Sequence, residues 1–531
     1  MAARYWVGGT ASWDATAGTK WALTSGGGGG QAVPTASDDV FFDVGSGTCT
    51  VTIAASATCL SLSKTSANVT IAGSSALAIS ASATWIAPWT YTGAITFNAT
   101  TTGFTITSNG LALGSNINFT GAGGGWTLAD ALISSGSMTL TNGTFSDGGF
   151  TLTSSTVASN NTNTRTFTKT GNWTITGTGT VLNLSSTLTW SDSGSMTFNN
   201  ASVTARTITT ASNIQLNDVA VTAGSGDLTT ASAMSARNLN FSGYTGQWLA
   251  GGASLRGNLT LGSGMTMATT SGDIEFAGTS GTQTIASNGV QIGRSVTINT
   301  TGSTVTLADA LAQKSDVAVS FGVTKGAFTD NNQNMTIFSL SSNNSNTRTI
   351  TKGTGTWSLF RAASVWNFLT TTNLTFTDAG TTKITDSSGA TKIFNGGSMM
   401  FNNLWMNCGG TVTLTGNNTF NDLKVDQDVT VNFGTVGSTT TISSFTNGAV
   451  AGHPVTFVSG SPGTQYTLVK SGVVVSTDYL NITDMVGVAP YRWYVGTHST
   501  DGGNNLGVIF TDAPSNVYGV PTMGRSRGRM R

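Results

Sequence analysis

The sequence predicts an all-β fold, an elongated parallel β-solenoid (β-helix) with aromatic-rich capping regions at both ends. Composition is the first observation: only 9% of the residues are charged and 68 are glycine, whereas ordinary soluble domains are about 25% charged. Glu275 is the only glutamate, and a chain poor in Glu and Lys but rich in Thr, Val and Ile favours strands over helices. Period-two segments and a long internal repeat are the other two observations.

The first element is an N-terminal cap or anchor module over residues 1–45. This stretch contains three tryptophans, Trp6, Trp13 and Trp21, followed by a glycine run, Pro34 and the phrase SDDVFFD. The ends of a solenoid carry unpaired strand edges, which invite aggregation unless they are covered. Because large aromatic side chains bury much area per residue, we expect the three tryptophans to cap or anchor the shaft.

The second element is a β-solenoid shaft over residues 46–470. Segments such as NWTIT and SMTL alternate apolar residues with Thr, Ser or Asn, which places the apolar side chains on one face of a short strand. Glycine- and asparagine-rich corners such as TGTGT separate these segments. A sandwich would need a new hydrophobic core for each domain, whereas the same low-charge pattern of short strands and polar corners continues here without a linker. About 20 to 25 residues per rung predict on the order of 20 rungs and a rod of about 100 Å.

The shaft contains an internal duplication, in which a block at about 95–195 is copied at about 274–381. The phrase TLADAL occurs twice, LTWSDSG is answered by LTFTDAG, and NNTNTRTFTK at 160–169 is answered by NNSNTRTITK at 343–352. In a solenoid, small polar corners stack on their equivalents, and Asn ladders add side-chain hydrogen bonds along the axis. We therefore interpret NNTNTRT, residues 160–166, as a rung corner, and its copy as the same corner further along the shaft.

The last two elements are a C-terminal cap over residues 471–515, marked by Tyr491 and Trp493, and a basic tail over residues 516–531. The tail arginines occupy every second position, so an extended chain would present them on one side: Arg525, Arg527, Arg529 and Arg531. A tail with so little apolar content does not order by itself. We expect it to dock on an acidic surface of a neighbouring protein, because four charges are too few for specific nucleic-acid binding.

Three phrases resemble a known group of proteins. YWVGGTASWDATAGTKWALTSGGGGGQAVPTASDDVFFD is similar to the N-terminal module of β-helical virion proteins encoded by tailed bacteriophages. ARNLNFSGYTGQW and TDYLNITDMVGVAPYRWYVGTHSTDGGNNLGVIF resemble other recurring phrases of that group. The N-terminal pattern also resembles modules of bacterial autotransporter-type surface proteins, although the chain lacks the export signal and barrel-like segment of that version.

The resemblance implies a virion appendage of the tail-fibre or tailspike kind. Such a protein is assembled in the host cytoplasm and functions in the virion. Its expected partners are other virion proteins, a host surface glycan and further copies of itself, with a trimer expected by analogy with phage fibres.

One pair of carboxylates is a candidate catalytic site, since tailspikes often cut surface polysaccharides. Glycoside cleavage usually needs two carboxyl groups about 5 to 9.5 Å apart, and KVDQDV places Asp426 and Asp428 two positions apart on an expected strand, hence on one face. The competing interpretation, which we prefer, is a solvated strand face with Lys424 balancing one charge. His453 and His498 are the only histidines and neither lies near a nucleophile elbow. We expect no enzyme, although carboxylates from different rungs cannot be paired from sequence.

Aromatic residues are the candidate glycan contacts. Trp85 and Trp89 in ATWIAPWTY, and Tyr491 with Trp493, could offer flat faces to sugar rings. Aromatic residues at a solenoid end or bend more often belong to the core, and both interpretations stay open at this point.

Cysteine spacing and charge exclude several classes of protein. Cys49, Cys59 and Cys408 show no metal-binding spacing, and a disulfide between the first two stays open. The formal net charge of zero argues against a nucleic-acid partner, and the absence of any apolar run of 18 residues argues against membrane insertion. We expect neither a metal nor another cofactor.

The leading hypothesis is a structural protein of a tailed bacteriophage, a β-solenoid fibre or spike acting in host-surface attachment. The alternatives are a capsid-decorating or head-fibre protein, a tailspike polysaccharide depolymerase, and a bacterial surface adhesin.

Overall fold

The computed structural model describes residues 2–13, 20–231, 234–269, 272–316, 318–361, 363–472, 474–488 and 492–514. The fold is all-β, a parallel β-solenoid of about 21 turns with aromatic clusters, which confirms the predicted fold class. Within the described ranges the single helical segment is the 3₁₀ turn Val44–Ser46, and no described helix is long and apolar enough to cross a membrane. The chain divides into two compact units, Met1–Val296 and Thr297–Arg531.

In the first unit, strands from successive turns form three long sheets and one short sheet. The first sheet contains, in spatial order, Trp21–Ala22, Ala2–Trp6, Asp38–Phe42, Leu62–Lys64, Ala83–Thr84, Phe104–Thr107, Gly125–Leu128, Gly143–Ser146, Arg165–Lys169 and Leu188–Asp192. The second contains Ala57–Cys59, Leu77–Ile79, Ile95–Phe97, Ile117–Phe119, Ser137–Leu140, Thr156–Ser159, Gly179–Leu184, Arg206–Thr210, Leu228–Thr230, Gln247–Ala250 and Thr266–Met267. The third contains Ala112–Leu113, Leu132–Ser134, Leu152–Ser154, Trp173–Ile175, Ser195–Phe198, Gln215–Val221, Met234–Asn240, Ala253–Leu255, Leu259–Thr260, Ile274–Phe276 and Gly281–Ala286. The short sheet contains Ala11–Ser12, Cys49–Ile53 and Val69–Gly73.

The second unit is built from two long ladders and a short one. The first ladder contains Val296–Leu307, Phe321–Thr329, Leu340–Ser341, Arg348–Lys352, Ala363–Asn367, Leu374–Asp378, Lys392–Asn395, Gly410–Thr415, Val429–Phe433, Val455–Ser459, Leu480–Ile482 and Thr500–Asp501. The second contains Leu311–Ala312, Met335–Ile337, Thr356–Leu359, Thr381–Ile384, Met400–Met406, Thr419–Asp426, Thr439–Gly448, Tyr466–Lys470 and Met485–Gly487. The short ladder contains Val475–Ser476, Trp493–Tyr494 and Val508–Ile509.

Period-two alternation explains why these segments form strands with one buried face. In Cys49–Ile53 the first, third and fifth side chains are buried and the two threonines between them face outward. Parallel, in-register pairing then stacks like on like from one turn to the next. Ile95–Phe97 pairs with Ile117–Phe119, so that isoleucine lies on isoleucine and the two phenylalanine rings stack at 5.2 Å. Each turn thus buries its apolar side chains against those of its neighbours.

An antiparallel strand ends the first sheet. Trp21–Ala22 lies at the sheet edge and pairs antiparallel with Ala2–Trp6, with Trp21 opposite Trp6. The side chains of Trp6, Trp13 and Trp21 are all buried, and the ring centroids of Trp6 and Trp13 lie 5.0 and 5.2 Å from that of Trp21. This arrangement covers the end of a parallel ladder with aromatic surface, while an anchoring role for the three tryptophans stays a prediction.

The repeated polar phrase is only partly a corner. Residues 160–164 do form a bend, but Arg165–Lys169 is a strand in which Arg165, Phe167 and Lys169 point inward. The guanidinium of Arg165 donates to the hydroxyl of Ser159 at 2.9 Å and to that of Thr187 at 2.6 Å. The strand therefore contributes polar groups to the interior, and the interpretation of residues 160–166 as a corner is wrong for Arg165 and Thr166, with which the strand begins.

Buried charges satisfy one another in this interior. Lys169 Nζ lies 2.9 Å from Asp192 Oδ1, and both side chains are at most 1% exposed. The carboxylate of Asp147, also buried, accepts hydrogen bonds from the backbone N–H of Thr170 and Gly171 and from Trp173 Nε1, at 2.9 to 3.0 Å. Burial alone would raise the pKa of Asp147, but these donors hold it below its ordinary value.

The second unit contains a copy of the same arrangement. Lys352 Nζ lies 2.7 Å from Asp378 Oδ1 with both side chains fully buried, and Trp357 Nε1 donates to Asp330 at 2.8 Å. The buried guanidinium of Arg348 again donates to a serine hydroxyl and to backbone oxygens of the adjoining turn. The duplication has therefore preserved a network of interior polar contacts.

Asparagine side chains also form the axial hydrogen bonds that the sequence predicted. Asn217 Nδ2 donates to the Ser193 oxygen of the preceding turn at 2.8 Å, and Asn402 Nδ2 donates to the Ala379 oxygen at 2.9 Å. The backbone N–H of each asparagine donates to the carboxylate of the buried pair, Asp192 or Asp378. Asparagine side chains therefore do bond along the axis, but these two bond to backbone oxygens rather than to other asparagines.

Candidate functional site

The outer face of the second ladder in the second unit carries an unusual column of side chains. Parallel pairing places Lys383 beside Trp405, and Trp405 beside Lys424, on three successive turns. Leu404 and Met406, on either side of Trp405, point into the core, so period two directs the indole outward. We refer to Lys383, Trp405 and Lys424 as the Lys–Trp–Lys column.

Both lysines lie against the indole ring. The Nζ atom of Lys383 and that of Lys424 are each 3.8 Å from the ring centroid of Trp405. One lysine comes from the turn before Trp405 and the other from the turn after it. Each contact contributes about 0.5–1 kcal/mol at a partly exposed site, so the ring fixes the position of two positive charges on the surface.

Two carboxylates flank Lys424 on the same strand but are held by other groups. Asp422 accepts hydrogen bonds from the hydroxyls of Ser444 and Thr446, and Asp426 accepts one from Asn407 Nδ2 at 2.5 Å. Among the described residues, neither Lys383 nor Lys424 has a carboxylate within the 4.0 Å of an ion pair. The face therefore displays free ammonium groups next to oriented carboxylates and amides.

A shallow groove adjoins the column. Its volume is about 510 Å³, and it is lined by Thr385, Ser387, Asn407, Cys408, Asp426, Gln427 and Gly448. A second groove of about 450 Å³ lies on the other side of the column, near the beginning of the same strands, and its lining includes Met400, Asn402 and Asn421. Both grooves are wide open to solvent, as suits an extended ligand lying across a surface rather than one that is enclosed.

The first unit supplies an internal comparison for this column. The register from the buried pairs, Lys169–Asp192 and Lys352–Asp378, aligns the two copies strand by strand. In the turns that follow the first copy, the outer face has Thr197 beside Ala220, and Ala220 beside Asn240, where the second unit has its Lys–Trp–Lys column. The interior contacts are common to both copies, whereas the outward column just after them is small and uncharged in the first unit and cationic and aromatic in the second.

The proposed catalytic pair does not lie on one strand face. The strand Thr419–Asp426 ends at Asp426, and Asp428 follows in a turn with φ of +63° before the next strand begins. Asp428 instead contacts His453, with 2.9 Å between its Oδ2 and the ring Nδ1. The prediction that Asp426 and Asp428 share a strand face is wrong, because the strand ends at Asp426 and Asp428 lies in the turn that follows it.

The sequence-predicted aromatic contacts lie in the interior. Trp85 and Trp493 are fully buried and Trp89 is 9% exposed, so their rings present no face to a sugar and the core interpretation applies. Tyr491 lies outside the described residues, as do the tail arginines Arg525, Arg527, Arg529 and Arg531. Their predicted roles stay predictions.

The cysteines are free thiols. Cys49 and Cys59 are both buried and unpaired with one another, so the disulfide left open above is not formed. Burial raises the pKa of Cys408 to about 11, although this side chain is half-buried and lines the groove next to Asp426. Within the described ranges no group of three or more potential ligands is placed to hold a metal ion.

The fold and this surface define the protein as a β-solenoid repeat protein with a polar exterior. No family model, curated protein or solved structure matches the chain.

Proposed function

We propose that the chain is a structural protein of a tailed bacteriophage, a β-solenoid fibre or spike that acts in attachment to the host surface. The observation that carries the proposal is the distribution of apolar and charged side chains between the interior and the surface of each unit. The interior is filled by apolar stacks and by charges that are paired, such as Lys352 with Asp378, or that donate to hydroxyl and backbone oxygens, as Arg165 does. Unpaired functional groups, including Lys383 and Lys424, lie on the outside, as a binding surface requires.

The buried network also suits a mechanical role. In a solenoid each turn contacts only its neighbours, so rigidity is a sum of local interactions along the chain. Charged pairs that are costly to expose or separate make any local opening unfavourable. A shaft of this kind holds a binding face at a fixed place under load, which agrees with the tail-fibre and tailspike resemblance of the sequence.

Cryo-electron microscopy of the intact particle, with the chain located by a specific antibody fragment, tests the proposal. Density at the tail tip or baseplate, together with binding of the purified chain to host cells, is the expected result. Density on the head would replace attachment with capsid decoration. Release of new reducing ends from host polysaccharide by the purified chain would instead favour a depolymerase, and detection in the envelopes of uninfected cells would favour an adhesin.

A further inference from the structure

We propose that the Lys–Trp–Lys column and the groove beside it form a binding site for an acidic polysaccharide, with sugar carboxylates contacting Lys383 and Lys424. The inference rests on the proposed attachment function and names the class of ligand. The lysine ammonium groups would contact the acidic substituents of the polysaccharide, and the groove residues Asn407 and Asp426 would contact its sugar hydroxyls.

Charge is the first argument for an acidic ligand. Each ammonium group lies 3.8 Å from the centroid of Trp405, so the two are at most twice that distance apart. Two like charges at this separation repel one another, and a bound anion relieves the repulsion for both. The indole holds the lysines in place before binding, so less side-chain entropy is lost when a carboxylate arrives.

The neighbouring acceptors are the second argument, because they distinguish a sugar acid from other polyanions. Asp422 and Asp426 lie on the same strand as Lys424, two residues before it and two after it. A polymer with closely spaced phosphates would meet these carboxylates and be repelled. An acidic sugar presents hydroxyl donors between its carboxylates, and such donors match carboxylate and amide oxygens.

The third argument is the difference between the two units in the turns that follow the duplicated blocks. Thr197, Ala220 and Asn240 occupy the equivalent outward positions of the first unit, where the strands pair in the same register. The fold therefore has no need of lysine or tryptophan at these positions. Because the register is the same while the side chains differ, the Lys–Trp–Lys column is best explained by a ligand that only the second unit binds.

The first unit also supplies the test variant. Replacing the column by its own counterpart, Lys383→Thr/Trp405→Ala/Lys424→Asn, inserts residues that the same strand register already accommodates. Lys314→Gln/Lys325→Gln, which removes two lysines elsewhere in the second unit, is the matched control for charge. Circular dichroism and size-exclusion chromatography of the full-length variants check that both fold as the parent does.

Binding is measured by biolayer interferometry with immobilised polygalacturonate, and with dextran as the neutral polymer. We expect the parent and the control to bind polygalacturonate, the triple variant to bind at least tenfold more weakly, and none to bind dextran. Raising NaCl from 50 to 500 mM should weaken the parent strongly and the triple variant little, because salt screens exposed charges.

Each contrary result overturns a defined part of the proposal. Equal binding by parent and triple variant would refute the site, and equal competition by double-stranded DNA would refute the preference for sugar acids. Binding to host cells or dextran without binding to polygalacturonate would refute the acidic class and leave the attachment function standing. Failure to bind host cells as well as every polymer would refute the attachment function itself.

Discussion

Removing one partner of a buried ion pair should destabilise the solenoid far more than removing one partner of an exposed pair. The change is Asp192→Asn, which keeps the size of the side chain but removes its charge. Lys169 would then keep 0% exposure but lose its ion-pair partner, leaving only the more distant carboxylates of Asp147 and Asp218. The exposed pair Arg237–Asp218, whose side chains are 51% and 36% exposed, supplies the control variant Arg237→Gln.

The structure sets the size of the effect. Breaking a buried pair from one side costs about 3–5 kcal/mol, because an uncompensated charge remains. Asp192 also accepts the backbone N–H of Asn217 at 2.9 Å and that of Gly194 at 3.2 Å, and an amide oxygen cannot serve both donors as well. The exposed control is expected to cost about 0–1 kcal/mol.

The cost should also depend on pH with a definite sign. Burial lowers the pKa of Lys169, and Asp192 opposes that shift. In the variant the folded-state pKa falls further below its unfolded value, so the unfolded chain binds more protons over the range between the two. Stability then rises with pH in that range, and the penalty of Asp192→Asn should be larger at pH 6 than at pH 9.

Hydrogen exchange followed by mass spectrometry is the suitable assay, because turns of a repeat protein need not unfold together. The free energy of opening is compared for the strands Arg165–Lys169 and Leu188–Asp192 in parent and variants. A penalty below about 1 kcal/mol, or one equal to that of Arg237→Gln, would refute the reasoning. The second copy offers a replicate, since Asp378→Asn removes the partner of Lys352 in the same way.

Three further outcomes follow from the described contacts. Hydrogen bonds hold the pKa of Asp147 below 3.8 in the folded chain, so its contribution to stability is present above the unfolded pKa and lost as pH falls through the folded value. Urea titrations from pH 7 to pH 3 should show a loss of unfolding free energy in the parent and a smaller loss in Asp147→Asn. Trp6→Ala removes a fully buried ring from the N-terminal cluster and should cost about 3–5 kcal/mol and promote association, measured by light scattering, with the exposed Leu23→Ala as the control. Cys59, whose pKa burial raises, should resist a thiol reagent at pH 8 until urea is added, whereas rapid labelling of the native chain at this residue would contradict its burial.

The fold could be predicted because its cause is local. Alternation in segments such as Cys49–Ile53 is visible in five consecutive letters, and the copied phrases identify a repeat without any structure. The interior charges could not be predicted in the same way. Lys169 and Asp192 meet only because one turn stacks on the next, and the length of that turn cannot be read from the sequence to the accuracy that pairing requires.

The candidate site was missed for the same reason. Lys383, Trp405 and Lys424 are each unremarkable in sequence, and only the register of three turns brings them into one column. The sequence holds a partial signal, because Lys424 lies two residues from Asp426, but the spacing of Trp405 and Lys424 does not indicate that they are one turn apart. The prediction that Asp426 and Asp428 share a strand face was wrong for a local reason. Asp428 adopts a left-handed backbone conformation, which ends the strand in a turn at Gln427 and Asp428, and the sequence KVDQDV does not show where that strand ends.

The two copies and the turns that follow them separate what the solenoid needs from what it can change. Positions that point inward are constrained by stacking, and both copies retain a buried lysine paired with a carboxylate of the next turn. Positions that point outward contact only their axial neighbours and the solvent, so a whole column can change without disturbing the core, as Ala220 and Trp405 illustrate. Specificity in such a chain is therefore expected to arise by columns rather than by single residues. A gain of polygalacturonate binding on converting Thr197, Ala220 and Asn240 to Lys, Trp and Lys would demonstrate this directly, whereas an inert converted column would show that the groove beside Asp426 is required as well.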